Sequence, residues 1–235
     1  IVFFKGCFMR CAWCCNPESQ EFEIQTLVEN GREQTVGRDV TAEEILPEIL
    51  ADAPYYRRSG GGVTLSGGEI LGQADFARDL LEACKQSGLH TAVESTANAP
   101  FETISRILPF LDLYLLDIKH MNSAKHKEYT GAGNELILEN AKRLAESGVE
   151  LIIRTPVVPN FNDTPEEIRA ISKFAASLRG VKEHHLLPYH RLGQDKYSGL
   201  GRRYSLEGVE PPSKEKMEYL KACAEECGLK CQIGG

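Results

Sequence analysis

What the sequence lacks narrows its function first. No run approaches the roughly 20 apolar residues a helix needs to cross a bilayer, so no membrane role is expected. Basic residues do not predominate. Against 34 Asp and Glu stand 27 Lys and Arg, a net charge of −7, which argues against nucleic-acid binding, where cationic side chains must neutralise phosphates. The glycine clusters are followed by no Lys-Ser or Lys-Thr pair and fit no GxGxxG pattern, which removes the two common phosphate-binding loops. Nothing reads as a secretory signal, and the eight cysteines are not spread as a disulfide framework: four crowd into residues 7–15 and none falls between residues 16 and 83. A reducing cytoplasm is the expected compartment. The sequence opens at Ile1 inside an apolar run, without an initiator Met, so the native polypeptide is expected to begin earlier.

What is present concentrates in Lys5-Gly6-Cys7-Phe8-Met9-Arg10-Cys11-Ala12-Trp13-Cys14-Cys15-Asn16-Pro17, where three thiols follow the spacing CxxxCxxC. Thiolates are soft ligands for iron–sulfur clusters, zinc or copper(I). A structural zinc site requires a fourth protein ligand, so what fills the fourth position is the question the motif leaves open. Cys15, next to a ligand, reads as a small buried residue. Cys223, Cys227 and Cys231, four apart, read as an apolar seam along one face of a C-terminal helix, and Cys84 as core.

Elsewhere apolar strands alternate with amphipathic helices. Strand character marks residues 1–4, the Val63-Thr64-Leu65 segment between two glycine clusters, and residues 90–94, 113–118, 150–158 and 184–189. Helices are expected at 41–50 (a Thr41/Glu44 capping box, with Pro47 inside), 73–87, 101–108, 134–147 and 165–178 behind an Asp163/Thr164 cap. Residues 18–40 are polar and alternate weakly, which suggests a loop or small ribbon. Parallel strands need crossovers that cover both sheet faces, so the expected class is α/β, an incomplete (β/α)6 TIM-like barrel with parallel strands, in a single domain over residues 1–235. Active residues of such folds gather at the C-terminal ends of strands. Here those ends carry Cys7, Glu69, Glu94, Asp117 with Lys119, Arg154 and His190. His184 and His185, inside a strand, read as structural.

CxxxCxxC followed by Ser66-Gly67-Gly68-Glu69 is similar to the radical S-adenosylmethionine enzymes. With Asp117-Ile118-Lys119-His120-Met121-Asn122, Arg154-Thr155-Pro156-Val157-Val158-Pro159 and Leu186-Leu187-Pro188-Tyr189-His190-Arg191-Leu192-Gly193, the chain resembles, over nearly its whole length, the glycyl-radical-enzyme activating enzymes. The resemblance implies that Cys7, Cys11 and Cys14 hold a [4Fe-4S] cluster whose open iron takes S-adenosylmethionine. Reductive cleavage then gives a 5'-deoxyadenosyl radical, which abstracts hydrogen from a glycine of a partner glycyl radical enzyme. Reduced flavodoxin or ferredoxin is the implied electron donor. The resemblance also places Trp13 near the adenine, and Gly67, Gly68 and Glu69 at the methionyl ammonium. Glu94 and Ser95 fall on a segment touching the cofactor, Lys119 and Arg154 opposite its carboxylate and ribose, and His190 near the adenosyl ribose.

Two points stay open. Some members bind a monovalent cation where Glu94 and Asp117 fall, but Glu94-Ser95-Thr96-Ala97 departs from their Asp-Thr-Asn-Gly. Many members also carry a cysteine-rich insert with further [4Fe-4S] clusters. Residues 18–40 are either the loop of a single-cluster protein or the remnant of such an insert, and Cys15-Asn16-Pro17-Glu18-Ser19 is more like the insert-bearing group. The rival functions are a radical S-adenosylmethionine enzyme acting on a small molecule and a non-catalytic iron–sulfur electron carrier.

Overall fold

The computed structural model describes residues 1–29 and 31–234. The apolar start forms β1 (Val2–Phe4), and the polar stretch after the cysteines folds into an antiparallel ribbon, β2 (Gln25–Glu29) with β3 (Arg32–Val36). Thr41 and Glu44 close the expected capping box on α1 (Ala42–Ala51), which runs through Pro47, and α2 (Ala53–Ser59) ends at left-handed Gly60. Strand and helix then alternate: β4 (Gly62–Gly67), α3 (Ala74–Gln86), β5 (His90–Ser95), α4 (Phe101–Ser105) and β6 (Leu113–Asp117). After β6 come α5 (Ser123–Thr130), α6 (Glu135–Ser147), β7 (Glu150–Val157), α7 (Pro165–Ser177) and β8 (Glu183–Pro188). The chain finishes with α8 (Gln194–Gly199), α9 (Lys214–Glu225) and β9 (Lys230–Ile233).

The six expected strands form one sheet in the order β1-β4-β5-β6-β7-β8, and β9 adds a seventh, every pair parallel. No pairing joins β1 to β9, so the sheet is open along one side. Alternation sorts the side chains. On β7, Leu151, Ile153, Thr155 and Val157 are buried, while Ile152, Arg154 and Pro156 on the other face are half-exposed. Register places Asp117 beside Arg154 on that inner face. The outer face packs on the helices through one continuous core that includes Leu65, Val93, Leu116, Ile153, Leu80, Ala141 and Ile171.

Two expectations change. The C-terminal helix stops at Glu225, so Cys231 lies on β9 rather than on a helical seam with Cys223 and Cys227. The reason is Gly228, whose φ of +88° ends the helix and turns the chain back along β8. The helix expected at 101–108 is cut to Phe101–Ser105 because Pro109 starts a separate tight turn. No helix among the described residues is long and apolar enough to cross a membrane.

His184 fits the structural reading. It is fully buried between Thr155, whose Oγ1 is 2.9 Å from Nε2, and Ser172, whose Oγ is 3.0 Å from Nδ1. Burial pushes its pKa down to about 3, so the folded ring is neutral. An unfolded histidine titrates near 6.5, so between pH 6.5 and 3 the unfolded state binds a proton that the folded state does not, and stability falls as pH drops. In urea titrations the stability advantage of wild type over His184→Gln should therefore narrow below pH 6.5, by up to about 1.4 kcal/mol per unit. An advantage that does not vary with pH would show that the folded ring takes up its proton as readily as the unfolded one.

Candidate active site

The loop from Gly6 to Cys15 has no regular structure, and its position is set by its backbone. Gly6 and Cys7 N–H donate to Ser19 O and Gln20 O at 2.9 and 3.0 Å, and Arg10 and Ala12 N–H donate to Thr130 O and Tyr129 O at 2.8 and 2.9 Å. The Arg10 guanidinium folds back onto Cys7 O at 2.7 Å and Met9 O at 3.0 Å. Beneath the loop, Trp13 lies 4.9 Å from Phe161, which lies 4.7 Å from Tyr129. The loop therefore rests on α5 and on the turn after β7.

Above the C-terminal ends of the strands is a cavity of about 280 Å³, lined by Cys7, Cys11 and Cys14 together with Gly67, Gly68, Glu94, Asp117, Lys119, Arg154 and His190. Its charges form one lattice. Arg154 Nη1 donates to Glu94 Oε1 at 2.5 Å, Ser66 Oγ to Glu94 Oε2 at 2.6 Å, and Lys119 Nζ to Asp117 Oδ2 at 2.7 Å. Burial works against both cations, but Asp117 with Cys11 and Cys7 together outweigh it for Lys119, and Asp117 with Glu94 for Arg154, so both are held above their ordinary values. Burial pushes the three thiols up, Cys11 to about 12, so metal must displace protons from them.

Glu69 also lines the cavity, and the protein itself engages its carboxylate. The residue is 2% exposed, and its carboxylate accepts four hydrogen bonds from the protein: Ser95 Oγ at 2.6 Å, Leu71 N–H at 3.3 Å, Thr96 N–H at 3.0 Å and Thr96 Oγ1 at 2.7 Å. Glu69 fastens the end of β4 to the end of β5, and Ser95, which also lines the cavity, donates its hydroxyl to it. The glycines have a structural reason too. A Cβ on Gly67 would lie 2.4 Å from Phe4 N, and one on Gly68 would lie 2.2 Å from Gly6 O and 2.5 Å from Ser19 O. Cys15 is not a small core residue: it is half-buried in the cavity wall, its Sγ 3.8 and 3.9 Å from the His190 ring nitrogens. His190 itself is exposed at the rim.

Residues that sequence reasoning passed over also hold the site. Phe161 and Asn162 support it from the turn after β7, and α5, which carries no apolar stripe, supplies the carbonyls for the cluster loop. The only signal for them was their place just beyond strand ends.

The residues fit an iron–sulfur cluster. All eight cysteines are free, and four of them, the motif's Cys7, Cys11 and Cys14 together with Cys15, line one cavity. Thiolates of an iron–sulfur cluster bind separate irons, and the CxxxCxxC thiols reach the cavity from different points of the loop. Asp117 Oδ1 is buried without a donor, 3.6 Å from Arg154 Nε, which likewise lacks an acceptor. The other three carboxylate oxygens of Glu94 and Asp117 each accept one hydrogen bond.

The close fit of Gly68 predicts that Gly68→Ala pushes the cluster loop off its seat. Iron bound per chain after anaerobic reconstitution should fall severalfold while circular dichroism keeps its α/β signature; wild-type iron content would show that the loop tolerates the methyl group.

Comparison with known proteins agrees with this geometry. Residues 1–175 match the Radical SAM superfamily. Over 232 residues the chain is 38% identical to the pyruvate formate-lyase 1-activating enzyme of Escherichia coli (strain K12), covering 98% of this chain and 89% of that enzyme. It is 34% identical to the trans-4-hydroxy-L-proline dehydratase activating enzyme of Clostridioides difficile, covering 100% and 93%. That alignment spans 282 positions, more than the chain has residues, so that relative carries residues this chain lacks. A domain of the pyruvate-formate lyase-activating enzyme from Bacteroides vulgatus ATCC 8482 superposes with a TM-score of 0.63 at 35% identity, covering 74% of this chain and 99% of that domain. With its three free thiols gathered at the open edge of a parallel sheet, the chain belongs to the radical SAM superfamily and, within it, to the activating enzymes of glycyl radical enzymes.

Proposed function

We propose that this chain activates a partner glycyl radical enzyme at the cavity over the strand ends, with Cys7, Cys11 and Cys14 holding a [4Fe-4S] cluster and the charged lattice receiving S-adenosylmethionine. The observation that carries this reading is the meeting of three unpaired thiols with Lys119 and Arg154 in one cavity. When bound, the cluster supplies the electron that cleaves the sulfonium to methionine and a 5'-deoxyadenosyl radical, which takes a hydrogen atom from the partner's glycine.

The protein's own residues bind and orient. Lys119 and Arg154 face the carboxylate and ribose, and His190, at the exposed rim, meets the adenosyl ribose. Trp13 forms part of the wall beside the adenine. Gly67 and Gly68 present backbone beside Glu69, and the methionyl ammonium is received there and by Glu94. Asp117 Oδ1 is the atom for a monovalent cation. The open side between β1 and β9 gives an extended glycine loop a lateral entry that a closed barrel would deny. Reduced flavodoxin or ferredoxin serves as electron donor, in a cytoplasm without nucleic-acid or membrane partners. Residues 1–235 act as one domain, in which the ribbon over residues 18–40 stands where other members have their insert.

The test is anaerobic. Protein reconstituted with iron and sulfide, reduced and mixed with S-adenosylmethionine, should release 5'-deoxyadenosine, and with the right partner it should give a glycyl radical signal in electron paramagnetic resonance. Cys11→Ala should abolish the cleavage. Cys227→Ala should leave it measurable, because that thiol rests against Arg169 O and Cys223 O on α7 and α9. No 5'-deoxyadenosine from a sample with a verified cluster would overturn the mechanism.

A further inference from the structure

We infer that Asn162 is a positioning residue that fixes the end of β6 and the cluster-loop aromatic Trp13 relative to one another, an inference that rests on the cavity being the S-adenosylmethionine site. Asn162 is fully buried, and every polar atom of its side chain bonds to backbone. Nδ2 donates to Lys119 O and Pro156 O, each at 2.8 Å, and Oδ1 accepts from Val158 N–H at 2.8 Å. Lys119 and Pro156 both line the cavity.

The need for such a clamp follows from the sheet. Regular pairing of β6 with β7 ends at Asp117 and Arg154, and the last backbone bond between them runs from Ile118 N–H to Arg154 O at 2.9 Å. Lys119, one residue further on, is past the ladder. Its carbonyl is held by the Asn162 amide instead, which extends the pairing by one step with a side chain. A buried carbonyl left without a donor is costly, so this bond fixes where Lys119 leaves the sheet and where its ammonium can meet Asp117.

The same turn reaches the cluster loop. Phe161 N–H and Asn162 N–H both donate to Val158 O at 3.2 Å, and Asn160, at a φ of +65°, is held by its N–H to Asp163 Oδ1 at 3.0 Å. This tight unit turns Phe161 inward, where it packs on Trp13 at 4.9 Å and on the His120 ring at 5.1 Å. One six-residue turn thus bonds to the backbone of Lys119 and stacks against the residue preceding Cys14. Displacements of about 1 Å in such supports can change rates by about a hundredfold.

The test uses the reconstituted holoenzyme under anaerobic conditions. Asn162→Asp keeps the acceptor for Val158 and loses both donors, Asn162→Ala loses all three bonds, and Leu220→Ala, which opens a cavity in the core shared with Val157, is a packing control that leaves the three Asn162 bonds intact. The S-adenosylmethionine concentration that half-converts the paramagnetic signal of the reduced cluster should rise about tenfold or more in both Asn162 variants, with iron content unchanged. Acrylamide quenching of Trp13, the sole tryptophan, should increase in both. Leu220→Ala should match wild type in both measurements. Asn162 variants that titrate and quench like wild type overturn the inference, as does a Leu220→Ala shift of equal size. A wild-type signal that S-adenosylmethionine leaves unchanged overturns the reading of the cavity instead, and the Trp13 quenching then decides the positioning role alone.

Discussion

Hydrogen bonds from the cluster loop's own amides to carbonyls of distant segments are what the remainder of the site depends on. A loop without regular structure must hold three thiols still, and it does so by exploiting an unmet need elsewhere. A helix ends with carbonyls that have no partner within the helix. At the end of α5, those of Tyr129 and Thr130 take the amides of Ala12 and Arg10, on either side of Cys11. Ser19 and Gln20 do the same for Gly6 and Cys7. Each side of the contact satisfies the other, so these bonds set the path of the loop.

Electrostatics then follow from that seating. Lys119 is the cation shared by Cys7, Cys11 and Cys14, and its field opposes the effect of burial on each thiol. A lone buried ammonium would be unfavourable, but Asp117 neutralises it, while Glu94 and Asp117 together balance Arg154. Two acids and two bases leave the lattice neutral by itself, which is how a partly desolvated cavity keeps four ionised groups. Bonds to charged ligands can form there without first creating a charge.

Much of this was legible in the sequence because it depends on local pattern. The six strands showed as short β-branched runs, and the polar residues at their C-terminal ends do gather at one edge, since parallel strands all point the same way. The seventh strand was hidden: Lys230-Cys231-Gln232-Ile233 is short, and the spacing of four from Cys223 to Cys227 to Cys231 imitates a helical stripe that Gly228 interrupts. Helix α5 was hidden because its polar sequence has no amphipathic period; contact with the cluster loop stabilises it. Asn162 and Phe161 lie in a turn, where side-chain direction depends on the backbone path and no periodicity announces it.

Glu69 shows how a motif residue can serve the fold at the site it lines. Ser66-Gly67-Gly68-Glu69 suggests glycines that open space for a ligand and an acid that grips it. In the structure the acid ties β4 to β5, and the glycines are required by the approach of Phe4, Gly6 and Ser19 backbone. Those demands are met by the protein alone. They also create the conditions for binding, because glycines pressed against the cluster loop expose peptide groups beside the thiols, and a carboxylate that accepts four hydrogen bonds from the protein is held in place at the cavity wall. Packing and recognition are therefore the same constraint at this corner of the fold: the contacts that bring the end of β4 against Cys7 also decide which atoms are left to face a ligand.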